Sequence, residues 1–459
     1  MVQTVDTEAL RRSSLKNNWM HFRDWVQMAE EGDPLIITDG KGLEVTDSEG
    51  NKYLDVNGGY LNVSIGYGWT EIADAVRDQM RKITFTPMGT TTPPVVEICE
   101  KLAQLAPGDL DRSWLVTGGS EANETAIKIA RAYHRRNGEA GRYKVISRVG
   151  SYHGFMGFTN WLGGGAFART DFEPAPQGLL YAPQPNPYRN DFDNSEDPSE
   201  VAVKAAKAIE SLIEFHGPKS VAAVIAEPVA ADVPLYAASV PGPEYWPMLR
   251  EICDKYGVLL IDDEVICGFG RTGKMFGINH WGVVPDIMSV AKGMVSTYMP
   301  MAATMVSTRV ADAFAGPENI LPGALTFGGH PVLAAAALAN IGIIERENLV
   351  ENSAKMGAYL LERLKPLKDD HPIVGNVRGL GLLTATEIVA DRKTKERFPA
   401  ELKVEERMAM KFRDRGLILH PRGSIVMAPP LVITRDEIDR ITNTVDIVLG
   451  EMETELGIK

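Results

Sequence analysis

Cysteine is scarce in this chain: three in 459 residues, Cys99, Cys253 and Cys267. They form no Cys-x-x-Cys spacing and no even set, which argues against a disulfide framework or a cysteine zinc site and fits a reducing cytoplasm. Long hydrophobic runs are missing too, since none approaches the roughly 18 residues that a membrane span needs. The opening residues, Met1 to Glu8, lack a basic stretch followed by an apolar one, so no secretory leader is expected. Positive charge is in deficit, with 48 Lys and Arg against 61 Asp and Glu and a formal net charge of −13. Binding to a phosphate backbone needs clustered cations, so this balance argues against nucleic acid as the main partner. The eight histidines show no metal-ligand spacing. No Gly-x-Ser-x-Gly segment supports a serine hydrolase, and there is no internal repeat or low-complexity tract.

What is present is ordinary for a folded protein: 44% hydrophobic and 24% charged residues, in a length suited to about two to three domains. The first thirty or so residues read as helix, with Trp19, Phe22, Trp25 and Met28 spaced by three. Short strands and turns follow in Leu35-Ile-Ile-Thr38, Asp39-Gly-Lys-Gly42, Leu43-Glu-Val-Thr46, Asp47-Ser-Glu-Gly50 and Lys52-Tyr-Leu-Asp-Val56. They predict a small antiparallel meander. From about Thr70, helical and strand-like segments alternate. The strand candidates are Ser113 to Val116, Lys144 to Ser147, Ala222 to Ala226, Val258 to Ile261, Ile287 to Val290 and Ala302 to Val306. Such alternation predicts an α/β fold with a doubly wound, mostly parallel sheet. Gln184 to Pro198, rich in Pro, Asn and Asp, reads as a surface loop. Beyond about Pro331 the pattern is helical over Val332 to Glu345 and Glu351 to Leu367. It then becomes α+β through Gly379-Leu-Gly-Leu-Leu383 and Ile425-Val-Met-Ala-Pro-Pro430. The expected organisation is a large domain over 70–330 and a smaller one built from 1–69 and 331–459.

The segment richest in chemistry is Tyr256-Gly-Val-Leu-Leu-Ile-Asp-Asp-Glu-Val-Ile-Cys-Gly-Phe-Gly-Arg271. The run Val258 to Ile261 reads as a buried strand, and it ends in Asp262, Asp263 and Glu264. Open α/β sheets bind ligands at the carboxyl ends of their strands. Alternation sends Asp263 to one side and Asp262 and Glu264 to the other. A second run, Asp286-Ile-Met-Ser-Val-Ala291, ends in Lys292-Gly293. A carboxylate and an amine at two such tips point to Schiff-base chemistry on a pyridine cofactor. The amine would hold the aldehyde and the carboxylate the ring nitrogen. A lone strand-end lysine usually snorkels to water, and a lone aspartate usually caps a helix or joins an ion pair. Their shared placement is what favours chemistry for Lys292 and Asp263. Val116-Thr-Gly-Gly-Ser-Glu-Ala-Asn-Glu124 leads from a strand through glycines into a helix. Its free N–H groups and dipole suit a phosphate, with Gly118, Gly119 and Ser120 as donors; a plain helix cap is the alternative. It is not a Walker loop, because no Gly-Lys-Ser/Thr follows. Tyr152-His153-Gly154 offers a ring that would stack on a flat cofactor or pack in a loop. Glu227-Pro228 ends another strand with a carboxylate.

Seven segments fall in one order and spacing: Thr117 to Glu124, Tyr152-His-Gly154, Ala226-Glu-Pro-Val229, Asp263-Glu-Val265, Gly268-Phe-Gly-Arg-Thr-Gly273, Ala291-Lys-Gly293 and Thr326-Phe-Gly-Gly-His-Pro331. In these the chain resembles class III pyridoxal-phosphate aminotransferases, from about Leu35 to Ile447. Among them it looks closest to ω-transaminases, which include taurine–, β-alanine– and diamine–pyruvate enzymes. The resemblance implies the fold-type I architecture, pyridoxal 5'-phosphate as cofactor, and a homodimer with active sites at the subunit interface. It implies that Lys292 carries the cofactor and shuttles the proton between Cα and C4′. Asp263 would hold the pyridine nitrogen, Tyr152 and Val265 would lie on opposite ring faces, and Glu227 would support Asp263 and the ring hydroxyl. Gly119 and Ser120 would bind the phosphate, and Thr326 would reach it from the partner subunit. The implied reaction is ping-pong transfer from a primary amine or ω-amino acid to a keto acid, pyruvate foremost, through pyridoxamine phosphate. An aminomutase, a decarboxylating transaminase and a 2-oxoglutarate-using aminotransferase are alternatives on the same fold. A non-catalytic binding protein is disfavoured by the presence of both Lys292 and Asp263.

Departures from the family pattern bear on the substrate. Leu61 stands where many ω-transaminases have tryptophan before the Gly-Tyr-Gly turn, and the loop from Phe85 to Pro94 is shorter and less aromatic. Both predict apolar room for bulky amines beside Tyr152. The segment after Glu227-Pro228, through Ala231-Asp-Val-Pro-Leu-Tyr236, is lengthened. Arg422 is the candidate cation for the substrate carboxylate, with His420 near the place of the family's mobile arginine.

Overall fold

The computed structural model describes residues 6–163, 165, 169–192, 195–230 and 236–458. Ala231 to Leu235, most of the lengthened segment, lies outside the described residues. Three antiparallel strands come first: β1 (Ile37–Lys41), β2 (Glu44–Asp47) and β3 (Lys52–Asp55). The meander is as expected, with one shift. Asp39 and Gly40 stay in β1, and the reversal falls at Gly42, whose φ of 58° suits glycine.

A seven-stranded sheet follows, made of β4 (Arg112–Val116), β5 (Lys144–Arg148), β6 (Leu179–Ala182), β7 (Val221–Ala226), β8 (Leu259–Asp263), β9 (Ile287–Val290) and β10 (Ala302–Val306). Its order is β4-β10-β9-β8-β7-β5-β6. Strands β5 to β9 pair in parallel, while β10 is antiparallel to both neighbours. β4 therefore runs with β9, so β4, β5, β7, β8 and β9 all end at one edge. The pattern does not reveal β6, a four-residue strand that is mostly half-buried.

The helix Gly119–Arg136 covers one face, where Ala126, Ile127 and Ala130 pack with Val145, Ile225, Leu259 and Ile261. On the other face, Ala205, Ile209, Trp246 and Leu249 from the helices Pro198–His216 and Tyr245–Tyr256 meet Ile146, Val224 and Leu260. Every residue of β7 and β8 is buried, which is why both read as unbroken apolar runs. Each such Leu, Ile or Val contributes about 1.5–3 kcal/mol. Alternation then decides the acids: Asp263 shares the face of Leu259 and Ile261, and Asp262 that of Leu260.

Next come β11 (Val374–Leu380) and β12 (Leu383–Ile388), an antiparallel pair. β13 (Leu417–Ile418) pairs in parallel with β3, so the meander is completed by a strand from the far part of the chain. β14 (Ser424–Met427) adds to β12.

Two expectations are corrected. The opening segment is not one helix but two, Thr7–Asn17 and Trp25–Glu30. Between them Phe22 takes φ 57°, and the Asp24 carboxylate accepts from the N–H groups of Val26 and Gln27. A strong N-cap thus starts a new helix where the three-residue spacing suggests continuity. Gln184 to Pro198 is not all surface either, because Gln184, Asn186 and Tyr188 are buried. The Asn186 side-chain oxygen accepts from the N–H groups of Tyr188 and Arg189, which lets this polar turn leave water. Among the described residues no helix is long and apolar enough to cross a membrane.

Candidate active site

The residues that follow five parallel strand ends line one partly open cavity. Gly119 and Ser120 come after β4, Tyr152 after β5, Glu227 after β7, Asp263 and Val265 at the end of β8, and Lys292 after β9. These are seven of the eight expected cofactor contacts. The eighth, Thr326, is exposed and outside the lining of this chain's cavity.

At one end of the cavity the 18-residue helix Gly119–Arg136 begins. Its cap residue, Gly118, is extended and makes no side-chain cap bond. The Glu121 carboxylate instead accepts from the N–H and hydroxyl of Thr117, at 2.8 and 2.7 Å, which fixes the chain's entry. A Cβ on Gly119 would lie 2.6 Å from Val265 Cγ1, so only glycine allows this approach. Backbone N–H groups at such a start, with the helix dipole behind them, favour an anion.

Asp263 is 2% exposed and sits at the opposite kind of end, a strand tip. Its Oδ2 accepts from Asn123 Nδ2 and His153 Nδ1, both at 2.7 Å, and its Oδ1 from the N–H of Val265 at 3.0 Å. Neither Asn123 nor His153 is a sequence-level candidate, yet both line the cavity. A signal existed for Asn123, which lies four residues after Gly119 and so on the same helix face. Among the described residues His153 Nε2 meets no partner. Lys292 has φ 41° and its Nζ lies 6.0 Å from the Tyr152 ring centroid. The Tyr152 N–H donates to Glu227 Oε1 at 3.4 Å, and Arg148 lies 3.3 Å from Oε2. Burial is the main cause that pushes Glu227 above the usual carboxylate range, with His153 and Arg148 opposing it.

The family model for aminotransferase class-III matches residues 27–449. The chain belongs to the class III aminotransferases. The taurine–pyruvate aminotransferase of Bilophila wadsworthia is 37% identical, over 99% of this chain and 100% of its own. The putrescine–pyruvate aminotransferase of Pseudomonas aeruginosa is 39% identical, over 92% of this chain and 91% of its own. Among solved structures, an (S)-enantioselective omega-transaminase from Thermomicrobium roseum matches with a TM-score of 0.93 at 39% identity, covering 98% of this chain and 100% of that one.

Of the substrate-side candidates of this aminotransferase, Tyr152 lines the cavity, while Leu61 and Arg422 lie off its wall. Leu61 is 4% exposed, with φ 59°, and packs in one apolar cluster with Val265, Ile266 and Cys267, which do line the cavity. Arg422 is exposed, with its guanidinium 5.2 Å over the Phe22 ring. Phe22 in turn is 5.3 Å from Phe155, and Phe155 is 5.2 Å from Tyr152. His420, two residues before Arg422, is also exposed.

Asp262 and Glu264 lie behind the site, fully buried. Among the described residues neither oxygen of Asp262, nor Oε2 of Glu264, meets a donor. Burial is the main cause that pushes Asp262 well above its ordinary range and Glu264 up to about 7. A carboxyl with a higher folded than unfolded pKa binds more protons in the native state. Its stabilisation is therefore full below 4.5 and is lost as pH rises through about 7. Glu264→Gln is expected to flatten the decline of Tm between pH 4.5 and 7, the window set by that shift. A Tm slope identical to the wild type's would refute the upward shift of Glu264.

Proposed function

We propose that this aminotransferase takes its amino group from a primary amine or ω-amino acid and delivers it to pyruvate. The observation that carries the reading is the convergence of Lys292, Asp263 and the start of the helix Gly119–Arg136 on one cavity. These residues fit pyridoxal 5'-phosphate. A glycine-capped helix start suits the phosphate, a buried carboxylate suits the pyridine nitrogen, and Tyr152 and Val265 suit the two faces of the ring. When bound, the cofactor supplies an aldehyde for the amine and a ring that accepts electrons as the Cα–H bond breaks. Lys292 Nζ would hold the cofactor and would serve as the group that moves the proton between Cα and C4′. Asp263 keeps the proton on the ring nitrogen. Glu227, shielded from water and held by Arg148, supports Asp263 and the ring hydroxyl. The taurine– and putrescine–pyruvate relatives support pyruvate as acceptor.

Thr326 is exposed next to Leu325 and Phe327, which suits a homodimer in which it completes the partner's phosphate site. The β3–β13 pairing supports a small domain of 1–69 and 331–459 around a large domain of 70–330. Three free cysteines fit a cytoplasmic enzyme.

The test is an amine-donor panel with pyruvate and with 2-oxoglutarate, read by cofactor absorbance and alanine formation. Absorbance should change on adding amine alone, and alanine should follow on adding pyruvate. Faster turnover with 2-oxoglutarate would redirect the reading, and no alanine from any donor would sink it.

Two further outcomes concern specificity. Leu61 in place of an indole, packed behind Val265 to Cys267, leaves apolar room. Bulky or branched amines are expected to gain up to about fourfold in kcat/KM per added CH₂, the equivalent of about 0.8 kcal/mol. A flat or falling chain-length series would defeat this pocket. The ring contacts that link Arg422 to Tyr152 through Phe22 and Phe155 support Arg422 as the cation for the keto-acid carboxylate. Arg422→Ala is expected to raise pyruvate KM about tenfold or more, the scale of a hydrogen bond to a charged group. An unchanged KM would clear Arg422 of the role.

A further inference from the structure

We propose that Asn340 is a positioning residue for Lys292. This rests on the reading that Lys292 holds the cofactor. The helix Pro331–Arg346 is apolar along its buried side, where Val332, Ala336, Ala337, Ile341 and Ile344 are buried. Asn340 is fully buried among them. Asparagine is a weak helix former, and a buried amide costs free energy unless it is hydrogen-bonded. Its Nδ2 donates to two carbonyl oxygens, of Gly293 at 2.8 Å and of Met294 at 2.9 Å. Among the described residues its Oδ1 meets no donor. The side chain is thus placed for its two N–H bonds.

Both carbonyls belong to the single turn Lys292–Met294. Lys292 has φ 41°, and Ser296 and Thr297 follow with 49° and 63°. Side-chain-bearing residues in this left-handed region are strained, because Cβ crowds the following carbonyl oxygen. They persist only where the surroundings over-determine them. Two other restraints act on the turn. The N–H of Ile65 donates to Ser296 Oγ at 3.2 Å. Gly293 is also pressed so close to Phe269 that a Cβ would lie 3.0 Å from the Phe269 Cβ. Asn340 holds the two carbonyls that directly follow Lys292, whose own carbonyl accepts from the N–H groups of Ser296 and Val295 at 2.7 and 3.1 Å. Without Asn340 the backbone of Lys292 relaxes toward negative φ, and the amine leaves its aim over the cavity.

The experiment measures pyridoxal-phosphate affinity by equilibrium dialysis in four proteins: wild type, Asn340→Asp, Lys292→Ala and the double variant. Asn340→Asp keeps the shape and removes both N–H donors, so that a buried, protonated carboxyl can replace at most one of the two bonds. With Lys292 present, its amine condenses with the aldehyde and releases water, so affinity includes the aim of the lysine. There Asn340→Asp is expected to weaken binding about tenfold, a typical coupling between neighbours. In the Lys292→Ala background the same change should stay within about twofold, because phosphate and ring contacts do not pass through the turn. Equal losses in both backgrounds, or none in either, would overturn the proposal. If Asn340→Asp does not fold, Asn340→Ser, with one donor left, takes its place under the same criteria. A failure of the underlying reading looks different: borohydride would then fix the cofactor in the wild type to a lysine other than Lys292.

Discussion

Lys292→Ala is expected to lower alanine formation by at least about 10³-fold, the scale of losing both a covalent anchor and a proton-transfer group. The loss follows from placement. β9 is buried along its length and delivers Lys292 to the same cavity as Asp263 and Tyr152. The left-handed turn that follows fixes its aim. Among the described residues no other lysine lines that cavity. The Tm of the cofactor-free variant should stay close to that of the cofactor-free wild type, because Lys292 is only half-buried. A small primary amine added to the variant should restore part of the rate, since it can move the same proton. Turnover within tenfold of the wild type, with no added amine, would remove Lys292 from the mechanism.

The next largest effect is expected for Asp263→Asn, a loss of about 10²-fold or more in kcat with cofactor still bound. An amide cannot keep the ring nitrogen protonated, so electrons leaving Cα lose their sink. The surroundings sharpen the effect. Asp263 Oδ2 accepts from both Asn123 and His153. An asparagine can satisfy those donors only by turning its own NH₂ to the other side, against the N–H of Val265. Asn123→Ala, which leaves the carboxylate in place, should lose far less. Near-normal kcat in Asp263→Asn would refute the role.

Much of this site is legible in the sequence because its main residues are local. Gly119, Ser120, Asp263 and Lys292 each sit directly at the end of an apolar run, and a strand tip in an α/β sheet is a place the chain announces. Asn123 and His153 are not announced. Their shared partner, Asp263, lies 140 and 110 residues away, and only the sheet order brings them together. The same limit hides β6, whose four residues read as a strand only beside β5. It also explains the opening segment, where the spacing of Trp19, Phe22 and Trp25 suits one helix but the Asp24 cap breaks it in two. Leu61 and Arg422 show the reverse case: the residues stand out in the sequence, and the fold sets Leu61 one layer back from the cavity and leaves Arg422 exposed, two rings away from Tyr152.

The parallel pairing of β3 with β13 sets a timetable for biosynthesis. β3 leaves the ribosome early, but its neighbour Leu417–Ile418 emerges only after most of the chain. At about 5–20 residues per second, the wait is tens of seconds. During that time the free edge of β3 is a template for pairing with other nascent chains. A slowed ribosome or a missing chaperone should therefore lower the soluble yield of this enzyme before it lowers the activity of the molecules that finish folding. A version truncated ahead of Leu417 should be recovered mainly in aggregates.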